Sequence, residues 1–430
     1  MSNHIDSMAL MNRRKKVMGD HTPMFYDRPL HLVKGNDVWV VDAQGKYYLD
    51  VYNNVPHVGH CHPQVVDAIC SQVSTLNLHT RYLHDNIVTY LEKLTSTFDA
   101  SLDMAMLTCT GSEANELALR MARHVTGKQG IIVTDCAYHG NTEAVAELGT
   151  AFMNEAKSTR RVKSIPIPDI YWGHDKLSED QLCDYYVHAV QSAIDEFEEE
   201  QIGFAGMLVC PDFANEGLLN LPRGFMNRAM SLVKQRGGLY IADEVQAGFG
   251  RSGHHWWAHQ QFSITPDIVT MGKPMGNGHP IGGIVASGDL INPFSKSAMY
   301  FNTFGGNPVS CAAGMAVLQV IENQQLMSNA ISTGQYVKKG LQALQTKHDA
   351  IGEVRDLGMF FGVELVQEGR PATQLARKVI NQMRENGVLI STIGKTRSIL
   401  KLRPAMTFQP RHGDILFEAL DESLRQAGGY

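Results

Sequence analysis

From about residue 105 onward, short apolar or β-branched runs alternate with amphipathic stretches of helical length. That alternation predicts βα units and a mostly parallel sheet buried on both faces. The expected strands are Ala105–Cys109, Gly130–Thr134, Gly206–Cys210, Gly238–Ala242, Asp267–Met271 and Gly282–Ala286. Each hands over to a loop at Gly, Asp, Pro or a similar residue. Their carboxyl ends matter most, because ligands of open α/β sheets sit just outside them. Beyond Pro308 a long helical stretch, Cys311 to Gln325, leads to a second region. There Val363–Val366 and Ile399–Arg403 read as strands and Thr373–Glu385 as a helix, which predicts an α+β lobe. Near the start, Val38–Val41 and Lys46–Tyr48 flank the turn Asp42 to Gly45 and read as a β-hairpin that packs on that lobe.

Length changes this picture by dividing it. At 430 residues the chain exceeds the size at which one core stops growing. We expect an N-terminal segment (1–60) packing with a small domain, a large domain (61–315) and a C-terminal α+β domain (316–430). Hydrophobic residues make up 43% and charged ones 19%, an ordinary globular mixture. No apolar run reaches the roughly 20 residues needed to span a bilayer, so no membrane partner is expected. The segment Met1–Asp20 is polar, carries a basic patch at Arg13 to Lys16 and precedes no signal-like apolar core, and it reads as solvated or wrapped on a partner. The seven cysteines (61, 70, 109, 136, 183, 210, 311) are scattered without a CxxC pair, which points to no disulfide framework, no metal site and a cytoplasmic setting. A net charge of −6 is a poor footprint for nucleic acid, leaving small-molecule chemistry.

The candidate chemistry lies at strand ends. Leu239-Tyr-Ile-Ala-Asp-Glu-Val-Gln246 ends an apolar run on an acid pair, and a buried carboxylate needs a cation or donor. Asp267-Ile-Val-Thr-Met-Gly-Lys273 ends a second run on a lysine. An amine and an acid at one sheet edge are what a pyridoxal 5'-phosphate cofactor requires: a lysine to link to it and a carboxylate to keep its ring nitrogen protonated. A purely structural Asp–Lys ion pair reads the same two residues equally well. In Thr108-Cys-Thr-Gly-Ser-Glu-Ala-Asn115 a strand passes through Gly111 into a helix opening at Ser112. Its first N–H groups form a phosphate site or a simple N-cap. Ala137-Tyr-His-Gly140 offers an aromatic face, and the Gly-rich loop Phe301-Asn-Thr-Phe-Gly-Gly-Asn-Pro308 carries a hydroxyl at Thr303.

These five segments together resemble the class-III (omega) aminotransferases of pyridoxal-phosphate fold type I, over about Pro29 to Phe417. The resemblance implies an α/β fold with a large, mostly parallel-sheet domain and a smaller α+β domain. It implies that Lys273 is the Schiff-base lysine, that Asp243 pairs with the pyridine nitrogen and that Gln246 hydrogen-bonds near the ring hydroxyl. Gly111 and Ser112 would bind the phosphate, Tyr138 would stack on the ring, and Thr303 would reach the phosphate of the neighbouring subunit in a homodimer with shared sites. Segments 53–63, 80–85 and 272–280 are most similar to the branch containing ethanolamine-phosphate phospho-lyases, with relatives that release ammonia from hydroxylated aminoethylphosphonates. Many family members pair a glutamate with a C-terminal arginine that grips a keto acid. Here those positions are Cys210 and Lys401, unless the register shifts and Arg403 or Arg397 supplies the clamp. A lysine lacks the planar fork that grips a carboxylate. The expectation is therefore a β-eliminating lyase acting on a small anionic amine, with Arg81, Lys401 and Arg403 as candidate anion contacts. An omega-aminotransferase is the alternative, and a catalytically silent scaffold a more distant one.

Overall fold

The computed structural model describes residues 7–151, 159–173 and 177–428. Within them the expected apolar runs pair into one seven-stranded sheet. Its order across the sheet is Met104–Thr108, Gly282–Ala286, Ile268–Met271, Leu239–Asp243, Phe204–Val209, Gly130–Thr134 and Val162–Ile165. Gly282–Ala286 runs antiparallel to both of its neighbours, and the remaining pairs are parallel. Six carboxyl ends, following Thr108, Thr134, Ile165, Val209, Asp243 and Met271, thus lie along one edge. The expected boundaries hold to within two residues. The edge strand Val162–Ile165 was not anticipated, because Lys163 and Ser164 interrupt its apolar residues and leave no run to find.

Alternation along each strand sends side chains to opposite faces, and both faces are covered. Ile131 and Val133 join Leu208, Ile241 and Ile284 beneath the helix Gly111–Thr126, which contributes Leu117, Ala118 and Met121. Ile132 joins Met207, Val209 and Tyr240 beneath Glu179–Glu199 and Phe225–Gln235. At roughly 1.5–3 kcal/mol for each large apolar side chain removed from water, this two-sided burial is the main force holding the layers together.

The N-terminal hairpin is part of a larger unit. Strands Leu32–Asn36, Trp39–Asp42 and Tyr47–Asp50 form a meander, and Val388–Leu389 joins it in parallel to Tyr47–Asp50, so the segment does pack on the C-terminal region. A third sheet there orders Ile351–Asp356, Phe361–Gln367, Ile399–Leu402 and Ser391–Ile393. The polar N-terminal segment forms a helix, Ser7–Met18, with no buried side chain. One apolar core runs from Val38 through Trp257 to Leu424 and joins these units. Arg251 is fully buried at their junction: its Nη1 donates to the carbonyls of Met359 (2.8 Å) and Pro404 (2.9 Å), and its Nη2 lies 3.0 Å from His57 Nδ1. No described helix is long and apolar enough to cross a membrane.

Candidate functional site

A cleft opens at the convergent strand ends, lined by Thr110, Gly111, Ser112, Tyr138, His139, Gly140, Cys210, Asp243, Val245, Gln246 and Lys273. Seven of the residues singled out from sequence, Gly111, Ser112, Tyr138, Cys210, Asp243, Gln246 and Lys273, therefore meet in one place. Asp243 is the last residue of the central strand and is buried. Its Oδ2 accepts from Asn115 Nδ2 (3.0 Å) and His139 Nδ1 (2.7 Å), and its Oδ1 accepts from the Val245 N–H (3.0 Å). Asn115 is itself fixed, donating to the His139 carbonyl (2.7 Å) and accepting from Thr270 Oγ1 (2.6 Å). Three donors thus hold the carboxylate in place, and Oδ1 keeps a lone pair for a further donor. Glu244, the second acid of the expected pair, turns away: it accepts from the N–H groups of Ala258 (3.0 Å) and His259 (2.8 Å) and anchors a distant turn.

Lys273 follows the neighbouring strand after Gly272 and has a backbone φ of +27°, a conformation that costs a residue bearing a β-carbon and is typical of functional sites. Burial lowers its ammonium pKa, while the Asp243 charge pushes the other way. The net shift is downward, which favours a free amine, the form able to react with an aldehyde or take up a proton.

The helix Gly111–Thr126 points its N-terminus at the same cleft, capped by Thr110 Oγ1 accepting from Glu113 N–H (3.1 Å). Helix geometry leaves the N–H groups of Gly111 and Ser112 without intrahelical acceptors. Glycine is needed here: a β-carbon on Gly111 would lie 2.9 Å from Val245 Cγ2, and one on Gly140 would lie 2.6 Å from Ser112 Oγ. The cradle of N–H groups, the buried carboxyl of Asp243, the amine of Lys273 and the ring of Tyr138 fit a phosphorylated pyridine aldehyde.

Behind Gln246 lies a second cluster. Lys401 and Arg403 occupy alternate positions beside the Ile399–Leu402 strand, and both are buried. Lys401 Nζ donates to the Ala214 carbonyl (2.9 Å) and to Gln246 Oε1 (3.1 Å). Arg403 Nη1 donates to that same oxygen, and Arg403 Nε donates to the Tyr52 carbonyl (3.2 Å). The Arg403 backbone N–H donates to the Val51 carbonyl (2.6 Å), so residues 352 positions apart meet at the cleft wall. Gln246 Nε2 reaches Asn215 Oδ1 (3.3 Å), which leaves both ends of its amide engaged. Burial pushes the Lys401 ammonium well below its usual range, with Arg403 adding to the effect. Burial likewise raises the Cys210 thiol, whose Sγ lies 2.9 Å from Asp212 Oδ1.

Two expected residues lie elsewhere. Thr303 is exposed and does not line the cleft of its own chain. Arg81 is also exposed, with its guanidinium 3.7 Å from the centre of the Phe301 ring. Of the two alternative clamps, Arg403 stands beside Lys401, whereas Arg397 is an exposed turn residue. Sequence reasoning missed Asn115, His139, Thr270 and Asp212 as parts of the site. A buried Asn within the apolar face Ala114, Leu117, Ala118 was the available signal for Asn115.

Residues 23–424 match the family described as Aminotransferase class-III. A phospholyase from Arthrobacter, solved in complex with phosphoethanolamine, is 46% identical, with a TM-score of 0.94 over 96% of this chain and 99% of that one. The Drosophila melanogaster protein "Alanine--glyoxylate aminotransferase 2-like" is 36% identical over 98% of this chain and 88% of its own length. "Ethanolamine-phosphate phospho-lyase homolog 1" of Caenorhabditis elegans is 34% identical over 96% of this chain and 93% of its own.

Proposed function

The chain belongs to the class-III aminotransferase family and takes pyridoxal 5'-phosphate as its cofactor, and from that premise we propose that it is a lyase releasing ammonia by β-elimination from a small amine bearing a phosphonate or phosphate. The observation that carries this reading is the pair of buried basic side chains behind Gln246 at the cleft wall. Lys401 and Arg403 share one neutral amide oxygen, and among the described residues neither has a carboxylate within ion-pair distance. A buried guanidinium so poorly answered, beside an amine that a neighbouring anion would help to protonate, supports an anionic ligand. The Arthrobacter structure, with phosphoethanolamine bound, supports the same substrate class.

In this reading the N–H groups of Gly111 and Ser112 hold the cofactor's phosphate, Thr303 of a second copy adds a hydroxyl, and Tyr138 stacks on the ring. Gln246 stands beside the ring hydroxyl. Asp243, fixed by Asn115 and His139, accepts the ring nitrogen's proton-bearing side and keeps that proton in place. When bound, the cofactor supplies a sink for the electrons freed beside the amine nitrogen. Lys273 removes the proton from the carbon bearing nitrogen, and burial, by disfavouring its ammonium form, assists that role. Lys401 and Arg403 hold the phosphonate or phosphate, with Arg81 as a more distant anion contact. The leaving group on the next carbon departs, and hydrolysis then gives an aldehyde and ammonia. 2-Amino-1-hydroxyethylphosphonate would yield phosphonoacetaldehyde and ammonia with no net use of water. O-Phosphoethanolamine plus water would yield acetaldehyde, phosphate and ammonia. Cys210, a neutral thiol where the family keeps a glutamate, favours the hydroxyphosphonate.

Exposed Met299 and Phe304 lie near Thr303 along the chain, and exposed Tyr82 and Leu83 follow Arg81, whose guanidinium sits over Phe301; these apolar groups support a homodimer joined across that region. The absence of any disulfide among the described cysteines supports a cytoplasmic setting. The alternative activity, transfer of the amine to a keto acid, is supported by the name of the Drosophila relative. The deciding assay supplies either amine without keto acid and follows ammonia. Many turnovers per site are expected. One equivalent or less, with turnover restored by pyruvate, would establish the aminotransferase instead.

A further inference from the structure

Behind the cleft runs a chain of two side-chain amides whose direction is fixed at both ends. At one end Arg403, which only donates, and Lys401 both give a hydrogen to Gln246 Oε1 (3.1 Å from Lys401 Nζ). At the other end the Tyr138 backbone carbonyl, which only accepts, takes a hydrogen from Asn215 Nδ2 (3.2 Å). Asn215 Oδ1 is thereby the atom that accepts from Gln246 Nε2 (3.3 Å). Turning either amide over would set oxygen against oxygen, or an amide nitrogen against the guanidinium. Both lone pairs of Gln246 Oε1 are used, and so is one hydrogen on Nε2. What the amide of Gln246 has left for the cleft it lines is a single N–H.

We propose that Asn215 is a positioning residue: it holds Gln246 as a hydrogen donor toward the cofactor's ring oxygen and, through the same amide, ties that donor to the backbone of Tyr138. The proposal deepens the reading of the site given above and rests on it for the placement of the ring oxygen beside Gln246 and of the ring against Tyr138. Asn215 suits the role because its own backbone is pinned. Its N–H donates to Glu216 Oε2 (3.1 Å), and Glu216 Oε1 accepts from Thr134 Oγ1 (2.6 Å) at the end of the Gly130–Thr134 strand. The Asn215 carbonyl accepts from the Gly394 N–H (3.0 Å), just beyond Ser391–Ile393. The preceding carbonyl, of Ala214, accepts from Lys401 Nζ (2.9 Å). Two sheets thus hold one short stretch of chain, and the Asn215 side chain passes that fixity to the amide facing the cleft.

A donor at that place, rather than an acceptor, has a chemical consequence. Between the Lys273 nitrogen and the ring oxygen a proton is shared once the cofactor is bound. A hydrogen bond given to the oxygen stabilises its ionised form and weakens its hold on that proton. The proton therefore leaves at a lower pH with the donor in place, and at a higher pH when the donor is lost or misdirected. Lys273, Asp243, His139 and Cys210 line the same cleft, while Glu216, Lys401 and Arg403 flank the two amides. These titratable and charged groups are common to every protein compared below, so differences between variants report the amides.

The test follows the visible absorbance of the cofactor-loaded enzyme against pH, a reading that needs no turnover. Gln246→Leu should raise the midpoint by about one pH unit, the shift that one hydrogen bond to a charged group commonly gives. Asn215→Leu should raise it in the same direction by a smaller amount. The double variant should match Gln246→Leu alone, because Asn215 acts through that amide. An unchanged midpoint in Asn215→Leu, or a double variant whose shift is the sum of the two single ones, would overturn the proposal while leaving the ring oxygen beside Gln246. An unchanged midpoint in Gln246→Leu would overturn the proposal and that placement together. If Asn215→Leu does not fold, neutron diffraction from deuterated, cofactor-loaded wild type decides the matter. There we expect Gln246 Nε2 to aim a deuterium at the ring oxygen and Asn215 Nδ2 to aim one at the Tyr138 carbonyl, whereas Gln246 Oε1 facing the ring would refute the proposal. The ammonia assay is independent of these outcomes, so the lyase reading stands or falls separately.

Discussion

At the scale of single residues, the cleft depends on groups whose partners have been chosen for them. Asp243 has three donors arranged around it, and the amine of Lys273 is held in a dry setting beside that charge. His139 Nδ1 serves Asp243, while its Nε2 is buried without a partner among the described residues, which marks the ring as placed for the carboxylate rather than for its own stability. If Lys273 is the reacting amine, Lys273→Ala should reduce turnover by roughly two to four orders of magnitude, the contribution typical of a positioned base, or more. The fold should survive, because the helix N-terminus and Asp243 are untouched. Borohydride reduction of the loaded wild-type enzyme followed by peptide mapping should place the label on Lys273, and label on any other lysine would refute the assignment.

At the scale of elements, close approach of backbones fixes how helices sit. Gly334 in Leu326–Lys347 lies against the Gly358 carbonyl, and a β-carbon there would be 2.5 Å from that oxygen. Alanine is the better helix former by roughly 1 kcal/mol. Overpacking against backbone that cannot move costs about 1–3 kcal/mol. Gly334→Ala should therefore lower stability by up to about 2 kcal/mol in urea unfolding, and a gain in stability would show that the contact can relax. This balance illustrates what sequence could and could not reveal. Gly130–Thr134, Gly282–Ala286 and Thr373–Glu385 were legible to the residue, because apolar runs and amphipathic periodicity are local properties. The convergence of Lys273, Asp243 and the helix at Gly111 was legible because strand ends advertise themselves by an abrupt change from apolar to charged. Asn115 was less legible, since its partners Asp243 and Thr270 lie more than 120 residues away. Nor did any local signal separate Glu244 from Asp243. Only the approach of the distant His259 turn decides which acid faces the cleft.

At the scale of the whole molecule, the exposed patch around Thr303 and the cleft of the same chain are separate places, which is the arrangement expected if two copies complete each other's sites. Mixed dimers of one Lys273→Ala chain and one Thr303→Ala chain would test this. Both lesions should fall in one site and leave the other intact, restoring about half of wild-type activity per dimer. If Thr303 acted within its own chain, each site would carry one lesion and no such recovery would be seen. The bond from the Arg403 N–H to the Val51 carbonyl has a consequence for how the protein is made. The cleft wall joins two segments whose synthesis is separated by about 350 residues of translation. A nascent chain carries every strand of the central sheet, and the helix at Gly111, well before Lys401 and Arg403 emerge. Products terminated before residue 401 would thus keep the sheet edge with Asp243 and Lys273 while lacking the wall behind Gln246.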